Sequence, residues 1–292
     1  MHSRQIIKLV FTFLFLASVV YGQEVRYTDS WSEQGFTLSQ AEHSGIKVIH
    51  SVNSFEFRQA TVNGEPMTVV TMPGVLLPND EGAPDLPGHG RYIAIPAGAT
   101  ARLNVVRMQT ETYSDIMLAP APRIPFEDDD SPLHYEKNMA IYGEDAFYPS
   151  EPVKLSQPAR LRGVDVVMLG ITPFQYNPVS GELIVIRDIE VEVVFEGANG
   201  QFGENRYRSR WWDPILADAL MNFSSLPPVD HNLIHMGNHD AGDGCEYLII
   251  TPDDSDFVMW ADSIATFRNK QGILTQVVTL TEVRSEEHTS EL

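Results

Sequence analysis

Cysteine is all but missing: Cys245 is the only one in 292 residues. An intramolecular disulfide framework is therefore excluded, and stability has to come from a packed core. Basic residues are scarce too, with 20 Lys and Arg against 40 Asp and Glu, a formal net charge of −20. A chain this acidic is repelled by phosphate backbones, which argues against nucleic acid as a partner. No apolar run reaches the ~20 residues that a membrane-spanning helix needs, so no stable membrane span is expected. A GxSxG elbow, a Walker loop and an HExxH helix are all absent. The sequence thus carries no signature of serine hydrolysis, nucleotide binding or zinc proteolysis, and no cofactor is expected.

What is there begins with an export signal. Arg4 and Lys8 precede an apolar stretch, Leu9–Val20, and Val20 and Gly22 occupy positions −3 and −1 of a cut before Gln23. This pattern reads as a signal peptide over residues 1–22, cleaved between Gly22 and Gln23. No Cys follows the apolar run, against a lipoprotein. The mature chain is expected to be secreted or held at the cell surface.

Residues 23–200 read as β structure. Ile46–Val52 alternates apolar and polar residues, and Phe55–Val62 and Met67–Met72 flank Asn63-Gly64. That dipeptide accepts positive φ in a two-residue hairpin turn. Tyr92–Ile95, Ala101–Met108, Val164–Ile171 and Leu183–Phe195 are further strand candidates, separated by turns rich in Pro, Gly and Asn. In the last of these, Val185, Ile189, Val191 and Val193 repeat with a period of two, which predicts a strand with one wet face. Many short strands without a helical stripe indicate a β-sandwich-like module. Within it, Ala119–Pro158 is Pro-rich and acidic, and Glu127-Asp128-Asp129-Asp130 fits no calcium loop; a solvated loop is expected.

Residues 201–244 read as an exposed linker with a short helix at Asp213–Phe223. Tyr247–Leu280 then reads strand, helix, strand. Asp253, Asp254 and Asp256 mark the helix start, and Arg268, Lys270 and Gly272 mark its end. Phe257, Trp260, Ala261, Ile264 and Phe267 form a stripe at helical spacing, expected to pack on a sheet. Such a βαβ unit opens a parallel α/β domain and cannot bury both faces of its sheet alone. Residues 245–283 are accordingly expected to be a truncated domain start. Arg284–Leu292 matches the frame translation of a common sequencing adapter and is set aside from the fold.

Candidate chemistry is thin. His231, His235 and His239 are four apart, but Gly237 and Asn238 interrupt any helix that would align them for zinc. Gly88-His89-Gly90 lacks the context of a dinucleotide loop. Cys245 is the only possible thiol nucleophile, yet it precedes a strand whereas α/β sites gather at the carboxyl ends of strands. A small buried hydrophobe is the better reading. Asn222-Phe223-Ser224 is a formal glycosylation sequon of little weight.

Three stretches together resemble the secreted gingipain-type cysteine peptidases, whose catalytic domain is caspase-like. They are Gly82-Ala-Pro-Asp-Leu-Pro87 with Tyr92-Ile-Ala-Ile-Pro96; Tyr148-Pro149 through Arg162-Gly163-Val164 and Pro173-Phe-Gln-Tyr-Asn-Pro178 to Phe195; and Tyr247-Leu-Ile-Ile-Thr-Pro252 with Gln271-Gly272 and Val277-Val-Thr-Leu280. The resemblance implies a mainly β chain: a β-sandwich-like propeptide followed by the truncated α/β start of a caspase-like peptidase domain. It implies a zymogen, whose propeptide assists folding and blocks the peptidase until proteolytic removal. The partners implied are the chain's own downstream peptidase domain and, for the parent enzyme, protein substrates. The His–Cys dyad of such enzymes lies beyond the first βαβ unit, so no catalytic residue is assigned here. Because the family often cuts after Arg or Lys, Arg206, Arg208 and Arg210 are possible processing positions. A second reading, resting on the β pattern alone, is a non-catalytic extracellular module for adhesion or assembly.

Overall fold

The computed structural model describes residues 22–75, 80–129, 131–197, 200–229 and 245–287. The chain divides into two compact units, Met1–Val229 and Asp230–Leu292. The first unit contains strands β1 (Gln23–Arg26), β2 (Gly35–Glu42), β3 (Gly45–Ser51), β4 (Ser54–Val62), β5 (Glu65–Thr71), β6 (His89–Ala94) and β7 (Thr100–Tyr113). After a one-turn helix α1 (Met139–Tyr142) come β8 (Val153–Leu155), β9 (Ala159–Leu161), β10 (Val164–Ile171), β11 (Phe174–Asn177) and β12 (Glu182–Glu196). Helix α2 (Asp213–Ala219) closes the unit. Each strand foreseen in the sequence is present, and Asn63 and Gly64 take φ of 52° and 85° in the β4–β5 turn.

The strands form three antiparallel sheets. β1-β4-β5 is one; β6-β10-β8, with β9 also on β10, is the second; β11-β12-β3-β2, with β7 along β12, is the third. The third sheet contributes to the two larger of three buried clusters. Ile46, Val48, Ile189, Val191 and Val193 meet Ile93, Val164, Val166 and Leu169 of the second sheet. Leu183 and Val185 instead meet Phe55, Phe57, Val70 and Phe174.

A bulge makes this division possible. Along β12 the register with β7 shifts between Ile186 and Asp188, leaving Arg187 as the extra residue. An inserted residue exchanges the two faces of a period-two strand. Leu183 and Val185 therefore share a face with Asp188, while Ile186, Ile189 and Val191 turn the other way. The sequence reading placed Val185 with Ile189 and expected one wet face; the bulge overturns that, and both faces are buried along much of the strand. The extra residue is used. The Arg187 guanidinium lies 4.1 Å from the Tyr27 ring and pairs with Asp29. Asp188, fully buried, accepts from Ser51 Oγ at 2.5 Å and from the Trp31 amide at 2.8 Å.

The second unit holds β13 (Tyr247–Thr251), α3 (Ser255–Lys270), β14 (Thr275–Thr279) and α4 (Leu280–Glu287). β13 and β14 pair in parallel from Tyr247↔Thr275 to Thr251↔Thr279, which is a βαβ unit. Asp254 caps α3 by accepting from the Asp256 amide, and Gly272 adopts φ 77° just past its end. The expected stripe is corrected in one respect. Ala261 and Ala265 are the buried residues of α3, whereas Phe257, Trp260, Ile264 and Phe267 remain exposed, Trp260 by 66%. The last helix runs on to Glu287, into the segment that the sequence reading set aside.

Candidate functional site

Two segments of the first unit carry the candidate functional features: a loop at 123–134 and the stretch from Phe202 to Leu226. The first is a loop. Residues 123–134 leave and return at one point, where the Arg123 amide donates to the His134 carbonyl at 3.0 Å. Its root is fixed on both legs. Ala119 donates to Thr68 of β5, Ala121 to Ala83, and Gly82 to Ala121, while Asn138 donates to Gly82 and Asn63 Nδ2 to the Tyr135 carbonyl. Gly82 is required at this crossing: its φ is 78°, and a Cβ there would stand 2.5 Å from the Glu136 carbonyl oxygen. Beyond the root, no described residue covers the apolar side chains. Ile124, Phe126 and Leu133 are exposed by 66%, 72% and 50%. Isolated exposed apolar residues are ordinary; three on one rooted, solvated loop make it a candidate contact surface. Glu127, Asp128 and Asp129 of the acidic run are exposed on the same loop, and among the described residues no cluster suited to a metal ion occurs.

The second surface is the segment from Phe202 to Leu226. Composition suggested an exposed linker; the structure packs it on the core. Phe202, Leu216, Leu220 and Leu226 are all buried against the first core. Asn222, fully buried, makes the decisive contact. Its Oδ1 accepts from the Ala94 amide and its Nδ2 donates to the Ala94 carbonyl, both at 2.8 Å, while the Met221 amide donates to Tyr92. The segment thus continues the edge of the second sheet. The sequon at Asn222 is closed to glycosylation for the same reason.

The three arginines of this segment have different fates. Arg208 is buried, with 4% of its side chain exposed. Nε and Nη2 grip the Asp213 carboxylate at 2.9 and 2.6 Å, and Nη1 donates to the Pro227 carbonyl at 2.5 Å. This packing withholds the Arg208 side chain from a protease pocket while the fold stands. Arg210 is exposed, its guanidinium 4.9 Å from the Trp211 ring. Arg206 lies in a 3-10 turn, Asn205–Tyr207.

Of the remaining candidates, Gln23 opens β1 opposite Phe57, one residue after Gly22. The signal segment before Gly22 and the histidines at 231, 235 and 239 lie outside the described residues. His89 of the Gly-His-Gly run begins β6, half-buried, and lies against the fully buried His50, a contact that no local pattern singles out. Cys245 is a free thiol, half-buried just before β13. Among the described residues no helix is long and apolar enough to cross a membrane.

Comparison with known proteins decides the family. The Propeptide_C25 model matches residues 32–224, well over half of the chain. This chain belongs to the Propeptide_C25 family. The match ends within the packed segment, two residues past Asn222. A Lys-gingipain of Porphyromonas gingivalis is 29% identical over 155 residues, covering 51% of this chain and 9% of the relative. Gingipain R2 of the same organism is 24% identical over 261 residues, covering 85% of this chain and 33% of the relative. The chain therefore spans between about a tenth and a third of these relatives' length.

Two solved structures share the fold. One is the complex of Porphyromonas gingivalis RgpB pro- and mature domains, at 25% identity and a TM-score of 0.57, covering 64% of this chain and 97% of that one. The other addresses the zymogenic latency of gingipain K from the same organism, at 26% identity and a TM-score of 0.51, covering 61% and 100%. The mainly β architecture of this Propeptide_C25 chain is thus that of gingipain prodomains.

Proposed function

We propose that this chain is the propeptide of a secreted gingipain-like cysteine endopeptidase zymogen, joined to the opening βαβ unit of its peptidase domain. Residues 1–22 act as a cleaved signal, the β-rich domain after Gln23 helps the peptidase fold and blocks it, and residues from 245 begin a caspase-like domain. The family match across residues 32–224 carries this reading. The exposed apolar stripe of α3, with Leu248 and Ile250 exposed on β13, supports the last part, because further strands and helices of an α/β domain would cover those faces. In the complete enzyme a histidine-activated thiolate would attack the peptide carbonyl. The C–N bond would break as the histidine protonates the departing amine, and water would hydrolyse the resulting thioester.

The loop 123–134 is the natural element for the blockade: it is rooted, solvated and apolar at its tip. Its exposed side chains gain most by burial against a partner, and the fixed root limits the ordering entropy that binding costs. Maturation would cut at Arg210 or Arg206. Arg210 is exposed, and the sequence holds no further Lys or Arg until Arg268. A cut there leaves α2 and Asn222 still packed on the prodomain, so the severed pieces are expected to stay associated. Size-exclusion chromatography of secreted protein checks this, and a mature N-terminus far from residues 207–246 would sink the processing part.

The test of the function itself is inhibition. The purified chain, added to the mature peptidase of its own parent protein, is expected to inhibit it. Deleting residues 124–133 is expected to weaken inhibition at least about tenfold, a loss of ~1.4 kcal/mol of binding, with the fold intact. No inhibition by the folded chain would refute the reading. Peptide hydrolysis by the chain alone would refute it as well.

A further inference from the structure

His50 and His89 stand where two sheets of the first unit meet. His50 is on β3 of the third sheet and is fully buried; His89 opens β6 of the second. Their Nε2 atoms approach to 2.5 Å, and the rings cross at 86°. Phe36 of β2 closes the cluster, its ring centre 5.0 Å from His50 and 4.8 Å from His89. A cleft of about 450 Å³ opens beside them, lined by Gln34, Phe36, Pro73, His89, Arg91 and Met221, and gives water a route to the His89 ring.

The contact works in only some protonation states. One nitrogen must donate and the other must accept, so at least one ring is neutral. A second proton turns both nitrogens into donors that face each other. A cationic His50 has a further problem, because its Nδ1 is buried and has no hydrogen-bond partner. The surroundings offer no compensation. From β6, Arg91 adds a like charge, its guanidinium donating to the Asp218 carbonyl of α2. From β2 comes the uncharged Phe36, with Gln34 just before the strand, and from β10 the register partner of His89 is Ile171. On β12, the residue opposite His50 is Ile189. Asp188 and Glu190 face the other side of that sheet, engaged with Ser51 and Arg107.

We propose that the His50–His89 contact is an acid-sensitive latch between two sheets of the propeptide, closed at neutral pH and opened by acidification. The electrostatics agree in direction. Burial, then the charge of His89, pushes His50 down to about 3; burial, then Arg91, lowers His89. The folded chain thus takes up fewer protons than the unfolded one below the ordinary histidine value of ~6.5. Stability is complete above that value and falls with pH below it, by about tenfold in the folding constant per pH unit for each histidine kept neutral. Resting on the inhibitory reading above, the latch would also make the blockade weaker in acid.

The test compares the chain with a His50→Gln/His89→Gln variant, whose side chains hydrogen-bond but do not titrate. Urea unfolding at about pH 7.5 and about pH 5 should show a marked fall in the wild-type midpoint and a smaller fall in the variant. Equal falls in both would overturn the latch. Should the variant not fold, the imidazole NMR shifts of the wild-type chain decide. Two rings remaining neutral at about pH 5 while the fold persists support it, and ordinary titration of every ring in the folded chain overturns it. The inhibitory constant against the parent peptidase is then read at both pH values. A latch seen in stability, with inhibition unchanged by pH, would leave the latch standing and remove its link to the blockade.

Discussion

At the scale of single residues, a few buried polar groups hold the C-terminal segment of the propeptide in place. Asn222 replaces a strand partner for Ala94, satisfying an amide and a carbonyl at the sheet edge. Asn222→Ala would leave both groups and is expected to cost ~1–3 kcal/mol in urea unfolding, with the protection of the Ala94 amide from hydrogen exchange lost. Asp213 neutralises a guanidinium that is almost wholly buried. Asp213→Ala would strand that charge, at a cost of ~3–5 kcal/mol, and free the Arg208 side chain. Trypsin should then cut after Arg208 in the variant while sparing that bond in the wild type; equal cutting in both would contradict the burial argument. Gly82→Ala is expected to loosen the root of the 123–134 loop, since a Cβ there meets a backbone carbonyl and the φ is positive. Neither Asn222 nor Arg208 stands out in the sequence. An Asn in a sequon and an Arg in a basic run look like surface chemistry until the Ala94 backbone and the Asp213 carboxylate are placed beside them.

At the scale of elements, local pattern was enough for most strands and for α3, because hairpin turns, capping residues and alternation are short-range signals. The Asn63-Gly64 hairpin and the Asp254 cap are examples. What alternation could not convey is the bulge at Arg187. The decision to insert one residue is made by β7 and by the two cores on opposite faces, and those are distant in sequence. Two cores draw on this strand, so Val185→Ala and Val191→Ala should each destabilise the unit by ~1–3 kcal/mol through different neighbours. Their effects should add within ~0.5 kcal/mol in a double variant, because the residues share no contact surface. A strong coupling in urea unfolding would show that the cores are not separate. The 202–226 segment was misread for a related reason. Its Pro, Asn and charged residues resemble a linker, and the four large apolar side chains that bury it are spread too far apart to form a periodic stripe.

At the scale of the whole molecule, the two units differ in how far their apolar faces are buried. The first buries both faces along much of its longest strand and has the architecture of gingipain prodomains. The second pairs two strands and leaves the large side chains of α3 in water. The difference agrees with the proposed reading, a prodomain followed by the opening βαβ unit of an α/β domain. The measurement that tests this account most directly is the inhibitory constant of the purified chain against the mature peptidase of its own parent. The expected result is inhibition that weakens at least about tenfold when residues 124–133 are deleted, with the unfolding midpoint of the first unit unchanged. A folded chain that leaves the peptidase fully active would contradict it.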